Sequence, residues 1–170
     1  YKIMQMVFQM PVDSFDPRWR IGKVLENILK RFAYPGNRRM RAAELLSMVG
    51  LPLAYLDKFP AQMSGGECQR AALARALAVG PELLICDEIT SALDVSVQAQ
   101  VIDLLLQLKE KTKISLLFIS HDLALVQGIS DRVLVMKDGM IVESGSTRTA
   151  YTRQLIQSLI TIEDAEKESY

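Results

Sequence analysis

The sequence MSGGECQRAALARALAVGPELLICDEITSALD, residues 63–94, contains the pattern that decides the fold. Ser64 and Glu67 have the Ser-x-x-Glu spacing of a capping box, which predicts that an alanine-rich helix begins there. Gly80 and Pro81 end that helix, and the apolar run at 83–86 predicts a strand buried on both faces. A capped helix followed by a buried strand is typical of an α/β domain with a mainly parallel sheet.

The flanking sequence continues the alternation of strands and helices. Apolar runs predict buried strands at 1–8 and 114–119, and apolar residues at helical spacing predict helices at 21–32, 39–49 and 123–129. Asp94 is expected to cap a long helix at 95–111. Asp-Gly at 138–139 predicts a hairpin of strands 132–136 and 140–142, and a terminal helix is expected at 151–162. The chain therefore predicts an α/β core with an inserted helical part.

Composition and charge limit the classes of protein to which the chain could belong. The 170 residues have a formal net charge of zero, which argues against a dedicated nucleic-acid-binding protein. Cys68 and Cys86 lie within apolar patterns and have no metal-ligand spacing, so we expect reduced cysteines in a packed core.

Two adjacent carboxylates, Asp87 and Glu88, follow the predicted buried strand. Open α/β sheets bind ligands just beyond the carboxyl ends of their strands. An Asp in this position is suited to hold Mg²⁺ through water, and the next Glu could polarise an attacking water. The alternative is structural, with both carboxylates capping the strand or binding a loop amide.

The tetrapeptide Ser64-Gly65-Gly66-Glu67 lies at the predicted helix N-terminus. Unpaired amides and the helix dipole favour an anion there, and glycines let a phosphate approach the backbone closely. The carboxylate of Glu67 is expected to repel a phosphate unless the cap engages it. The alternative is a capping box without a ligand.

Two further polar residues follow predicted strands. Gln9 could coordinate a metal or a water, and His121, the single histidine, could donate a hydrogen bond to a phosphate oxygen. Each is also compatible with a purely structural role.

Taken in order, these features resemble the ATPase subunit of ATP-binding cassette transporters over nearly the whole chain. VFQ at 7–9 is similar to the Q-loop, MSGGECQR at 63–70 to the LSGGQ signature, and LLICDE at 83–88 to Walker B. SALD at 91–94 is similar to the D-loop, and ISH at 119–121 to the switch-histidine segment. The resemblance implies a P-loop NTPase-like (RecA-like) α/β fold, with ATP and Mg²⁺ as ligands.

The resemblance also implies roles for the candidate residues. Asp87 would organise Mg²⁺, with Gln9 as a second metal ligand, largely through water. Glu88 would act on the attacking water and His121 on the γ-phosphate, as the catalytic pair.

A head-to-tail dimer with a second ATPase subunit is part of the same expectation. Ser64, Gly65, Gly66 and Glu67 would face the nucleotide of the partner, and Asp94 would couple the two sites. Transmembrane permease subunits would dock on the helical part, at the cytoplasmic face of the membrane, with no nucleic acid involved.

Finer segments, such as FQMPVDSFDPR at 8–18 and LLFISHDLALV at 116–126, resemble the branch that imports peptides or nickel. The alternatives are a non-transport ATPase of DNA repair or translation, and a truncated module that acts only in trans.

The chain is expected to divide into four segments. These are a strand and Q-loop at 1–15, a helical subdomain at 16–62, the signature, Walker B, D-loop and switch-histidine core at 63–145, and a C-terminal helix with an acidic tail at 146–170.

The 170 residues contain no G-x-x-x-x-G-K-[ST] pattern, the Walker A loop that cradles phosphates. We therefore expect the chain to be the C-terminal part of a longer cassette and to be inactive alone. Because a Walker A strand and helix would lie beside the Walker B strand, we also expect the isolated chain to self-associate.

Overall fold

The computed structural model describes residues 2–137 and 139–146, and the chain forms two compact units. The first unit is Tyr1–Ile119 and the second is Ser120–Tyr170. Among the helices of the described residues, none combines the length and apolar character that a bilayer crossing requires.

A parallel three-stranded sheet forms the centre of the first unit. Its strands are β1 (Met4–Val7), β2 (Leu83–Asp87) and β3 (Ser115–Ile119), in the order β1-β2-β3. Val7 pairs with Cys86, and Cys86 pairs with Phe118. The parallel sheet confirms the prediction. It also brings the carboxyl ends of all three strands to one edge.

Four α-helices accompany this sheet within the described part of the first unit: α1 (Ile21–Arg31), α2 (Arg38–Met48), α3 (Gly65–Leu77) and α4 (Val95–Thr112). Short 3-10 helices lie at Pro11–Ser14, Leu53–Asp57 and Pro60–Gln62. The helix positions agree with the predicted spans to within a few residues. Because α1 and α2 lie between β1 and β2 in the chain, the inserted helical part is confirmed.

The alanine-rich helix α3 is the most enclosed element of the first unit. It contacts α1, α2, α4 and β1, and Ala71, Ala72, Ala74 and Ala76 have no exposed surface. Alanine side chains are short, so neighbouring backbones approach closely on several sides without leaving voids. The helix thus ties the helical part of the unit to its sheet.

The strands flanking β2 are less buried than predicted. Paired residues of a parallel sheet lie on the same face. The face that contains the paired Val7 and Cys86 is covered, since both residues are completely buried. On the other face Met4, Leu117 and Ile119 are 50%, 44% and 44% exposed. The prediction of buried strands at 1–8 and 114–119 was therefore wrong for this face of β1 and β3, because an apolar run indicates a preference for the core but does not show that another layer covers the strand. In β2, which was predicted to be buried on both faces, Leu83 and Ile85 on this face are only part-buried.

The second unit contains helix α5 (Leu123–Ile129) and strands β4 (Arg132–Lys137) and β5 (Met140–Ser146) in its described part. Strands β4 and β5 pair antiparallel, which confirms the predicted hairpin. Asp122 caps α5 by accepting a hydrogen bond from the Leu125 amide at 3.0 Å. The helix predicted at 151–162 lies outside the described residues.

Candidate functional site

The carboxyl edge of the sheet holds a cleft of about 560 Å³ that contains two of the predicted residues. Asp87 is the last residue of β2, and Gln9 follows β1 by two positions. The cleft is lined by Phe8, Gln9, Met10, Asp13, Ser14, Arg75 and Asp87. The structure thus brings Gln9 and Asp87 together, although 78 positions of sequence numbering separate them.

A short hydrogen-bond chain joins Gln9 to the backbone of Glu88. The Gln9 Nε2 donates to Ser91 Oγ at 3.0 Å, and Ser91 Oγ donates to the Glu88 carbonyl oxygen at 2.9 Å. The Ser91 amide donates to the same carbonyl at 3.1 Å. Ser91 therefore fixes the side chain of Gln9 relative to the backbone of Glu88. Ser91 is the first residue of the SALD segment, and its position in the sequence alone does not indicate this role.

Glu88 has a left-handed backbone conformation, with φ of 46°. This region disfavours residues that carry a Cβ, by roughly 1–2 kcal/mol. The Glu88 amide donates to the Ile119 carbonyl oxygen at 3.0 Å, which ties the turn to the end of β3. Such strained positions persist where surrounding contacts hold them, and they cluster at functional sites.

The oxygen donors of the cleft fit a magnesium ion that is held mainly by water and phosphate. Within the described ranges, 2–137 and 139–146, no group of three or more His, Cys, Asp or Glu side chains is arranged for a metal. Asp87 supplies a carboxylate and Gln9 an amide oxygen. Mg²⁺ is commonly bound through one or two carboxylates together with water and substrate phosphates, so this small donor set is sufficient.

Arg75 of α3 also lines the cleft, although it is not among the candidate residues predicted from the sequence. Burial lowers the pKa of its guanidinium below the usual value, and its Nε has no hydrogen-bond partner among the described residues. Its neighbours in the cleft include Asp13 and Asp87, so the cleft contains a cation as well as carboxylates. The sequence feature that could have indicated Arg75 is a basic residue between two alanines of a predicted buried helix.

The predicted capping box at the start of α3 is confirmed. Ser64 Oγ accepts from the Glu67 amide at 3.3 Å, and the Ser64 amide donates to Glu67 Oε2 at 2.8 Å. The other carboxylate oxygen of Glu67 accepts a hydrogen bond from the Tyr55 hydroxyl. The cap therefore engages the carboxylate, which was the condition for a phosphate to approach this turn.

The two signature glycines, Gly65 and Gly66, face the N-terminal part of α4 and the loop before it. A Cβ on Gly66 would lie 2.5 Å from Val97 Cγ1, whereas a Cβ on Gly65 would lie 3.8 Å from its nearest neighbour, in Leu93. Only Gly66 is thus required by packing. Asp94 is the N-cap of α4 as predicted, but its side chain makes no capping hydrogen bond.

The candidate residues therefore form two groups in the first unit. Gln9, Asp87 and Glu88 lie at the sheet edge, and residues 64–67 lie beside the segment that contains Asp94. His121 belongs to the second unit, two positions after the end of β3.

A family model described as "ABC transporter" matches residues 2–91, just over half of the chain. The chain belongs to the ABC transporter family. The resemblance seen in the motifs is thereby confirmed.

Curated relatives carry names from peptide transport. The chain is 46% identical over 155 residues to the oligopeptide transport ATP-binding protein OppF of Escherichia coli, a match that covers 89% of this chain and 46% of OppF. It is 40% identical over 178 residues to the oligopeptide transport ATP-binding protein OppD of Bacillus subtilis, covering 98% of this chain and 50% of OppD. The chain thus spans about half the length of the curated relatives it matches.

Solved structures of ABC cassettes share the fold. A dimeric, post-hydrolysis state of the ATP-binding cassette MJ0796, bound to ADP and Pi, matches with a TM-score of 0.72 and 30% identity. The match covers 86% of this chain and 64% of that one. The predicted α/β cassette fold is confirmed. The names of these relatives mention neither nickel nor DNA repair nor translation, so the non-transport alternative receives no support from them.

Proposed function

We propose that this chain is part of the ATP-hydrolysing subunit of an importer for peptides. The observation that carries the proposal is the carboxyl edge of the sheet, where Gln9 and Asp87 line one cleft and Ser91 links Gln9 to Glu88. Membership of the ABC transporter family and the names of OppF and OppD support ATP as the substrate and peptides as the cargo. Nickel stays a prediction.

At the sheet edge, each side chain has a distinct task in this proposal. The Asp87 carboxylate and the Gln9 amide oxygen would hold Mg²⁺, largely through water, and the bound ion would supply positive charge against the phosphates. The Glu88 carboxylate orients and deprotonates the attacking water, a task worth roughly 10²–10⁴ in rate. Asp87 is the last residue of β2, whereas Glu88 has a left-handed backbone, and this difference in local geometry supports separate roles.

The second group of residues acts across a head-to-tail dimer. The amides of Gly65 and Gly66 and the hydroxyl of Ser64 bind the nucleotide of the other subunit, because the first turn of a helix has unpaired N–H groups. Asp94, beside this turn, couples the two sites, and His121 donates to the γ-phosphate. The dimeric state of the cassette MJ0796 supports this assembly.

The subunit works at the cytoplasmic face of the membrane with permease subunits. In this proposal the helical region, which contains α1 and α2, docks on them. Hydrolysis in this proposal also requires a Walker A loop, which the 170 residues do not contain, and the trans-acting module remains the alternative.

The test is the Mg-dependent ATPase activity of the intact subunit, purified with its permease partners. We expect Glu88→Gln to lower turnover at least about 100-fold, because an amide cannot accept the proton of the attacking water. The matched control is Glu82→Gln, which removes an exposed carboxylate just before β2 and is expected to retain activity.

Unchanged turnover in Glu88→Gln would remove the assigned base. A wild-type subunit without ATPase activity would contradict the proposed function itself. Transport of a labelled peptide into vesicles, lost in Glu88→Gln and kept in Glu82→Gln, tests the cargo.

A further inference from the structure

Both oxygens of the Glu67 carboxylate have hydrogen-bond donors, and one donor comes from outside the signature. The Ser64 amide donates to Oε2 at 2.8 Å, within the capping box. The Tyr55 hydroxyl donates to Oε1 from the 3-10 helix Leu53–Asp57, twelve positions earlier in the chain. The contact therefore connects the helical part of the first unit directly to the turn that opens α3.

A positive charge accompanies this contact. Lys58 Nζ lies 3.6 Å from the centroid of the Tyr55 ring, within cation–π distance. The Tyr55 hydrogen bond is the main reason that the pKa of the Glu67 carboxyl lies below its usual value. The Ser64 amide and the charge of Lys58 lower it further. Glu67 is thus held as an anion whose charge is directed toward donors within the chain.

The engaged carboxylate leaves the rest of the turn available. In a capping box the amides of the N-cap and N3 residues, here Ser64 and Glu67, are already paired. The amides of Gly65 and Gly66, the first two helical positions, have no partner within the helix. A carboxylate that turned toward these amides would compete with a phosphate for them and repel it.

We propose that Tyr55 is a positioning residue for nucleotide binding, because its hydroxyl holds the Glu67 carboxylate away from the phosphate path at residues 64–66. This inference rests on the proposed function, since it needs a nucleotide at that turn. Tyr55 is well placed for the task, as the 3-10 helix that carries it packs against α1 and α2 and its neighbour Leu56 is buried. No motif contains Tyr55, and it makes no contact with a phosphate in this proposal.

The first experiment tests the contact itself, without nucleotide. The substitution Tyr55→Phe removes one oxygen and keeps the ring that Lys58 covers. In the intact subunit with ¹³C-labelled glutamate, the carboxyl resonance of Glu67, assigned from its loss in Glu67→Gln, reports the pKa of that group. We expect Tyr55→Phe to raise this pKa toward its ordinary value. The matched control Tyr34→Phe removes a hydroxyl between α1 and α2 and is expected to leave the pKa unchanged.

The second experiment is a double-mutant cycle on the ATPase reaction. We expect Tyr55→Phe to raise the KM for MgATP about two- to five-fold at low salt, the size typical of exposed charge interactions, with kcat nearly unchanged. In the Glu67→Gln background the same substitution is expected to have no effect on KM, because a neutral amide does not repel phosphate.

The outcomes separate this proposal from the proposed function. If the pKa of the Glu67 carboxyl is the same in Tyr55→Phe as in the wild type, the contact between the two side chains is contradicted. A raised pKa with an unchanged KM overturns the positioning role while hydrolysis by the wild type leaves the proposed function intact. An increase in KM that persists with Glu67→Gln shows a general packing role for Tyr55 and also overturns the proposal. A wild type without ATPase activity removes the proposed function, and the positioning role with it, whatever the pKa measurement gives.

Discussion

Gln9 and Ser91 are 82 positions apart in the chain, yet Gln9 Nε2 donates a hydrogen bond to Ser91 Oγ at 3.0 Å. Ser91 in turn donates to the carbonyl of Glu88, whose backbone is left-handed. A change in the side chain of Gln9, such as rotation toward a metal ion, would therefore alter the hydrogen bonding of the turn that carries the proposed base.

Removal of the Ser91 hydroxyl is expected to impair catalysis more than binding. In Ser91→Ala the Glu88 carbonyl keeps one of its two Ser91 donors, and the carboxylate is positioned less precisely. We expect kcat of the intact subunit to fall about 10- to 100-fold, in line with the cost of small misplacements of reacting groups, with the KM for ATP changed less than about two-fold. Steady-state ATPase kinetics measure both constants.

The exposed Ser96→Ala is the control for that substitution and is expected to behave like the wild type. Because Gln9 and Ser91 are in contact, the effects of Gln9→Ala and Ser91→Ala are expected to be less than additive. Strictly additive effects would show that the two side chains act independently.

The two signature glycines are expected to differ in their tolerance of alanine. A methyl group on Gly66 would lie 2.5 Å from Val97 Cγ1, and the β-branched Val97 has little rotamer freedom in a helix. Gly66→Ala should therefore destabilise the fold by about 1–3 kcal/mol. Gly65→Ala, with 3.8 Å to its nearest neighbour, should be nearly neutral. Urea unfolding of the intact subunit measures both effects.

Relief of the predicted clash provides the check on this explanation. The double variant Gly66→Ala with Val97→Ala is expected to recover most of the stability lost in Gly66→Ala. Equal destabilisation by Gly65→Ala and Gly66→Ala would contradict the packing explanation.

Replacement of Gln69 by an apolar residue is expected to stabilise the protein. Gln69 has no exposed surface, and neither Oε1 nor Nε2 of its side chain has a partner in the part of the chain that the structure describes. Gln69→Met keeps the length of the side chain and removes both polar groups, which should raise the free energy of unfolding by about 1–3 kcal/mol. The exposed Gln107→Met should change it by less than about 0.5 kcal/mol. A destabilised Gln69→Met would indicate that the amide has a partner, such as a buried water.

The Cys86 thiol is expected to make stability depend on pH in the alkaline range. Burial raises the pKa of Cys86 to about 12, whereas the pKa of a cysteine in an unfolded chain is about 8.5. Because the folded state keeps the thiol neutral, its contribution to stability is fully present when the pH is below the pKa of the unfolded chain. The contribution is lost as the pH rises from that value toward 12. Urea unfolding between pH 8 and 11 should thus show Cys86→Val gaining stability relative to the wild type as pH rises. Parallel pH curves for the two proteins would contradict this.

Several features of the fold could be predicted from the sequence because short segments encode them. The capping box of Ser64 and Glu67 spans four residues, and the Asp-Gly turn predicts its hairpin from two. Apolar periodicity placed α1, α2 and α4 to within a few residues, because one buried face repeats along each helix. The burial of Cys68 and Cys86 followed from the same patterns.

The tertiary structure alone decided which distant side chains meet. Three contacts join segments that are separate in the sequence: Gln9 with Ser91, Tyr55 with Glu67, and Gly66 with Val97. The distance between such segments depends on how the intervening chain folds and on the register of the strands. The exposed face of β1 and β3 is decided in the same way, since an apolar strand becomes buried only where another layer covers it. The sequence by itself therefore determined the order of elements and the residue types of the site, and packing determined how those residues are held.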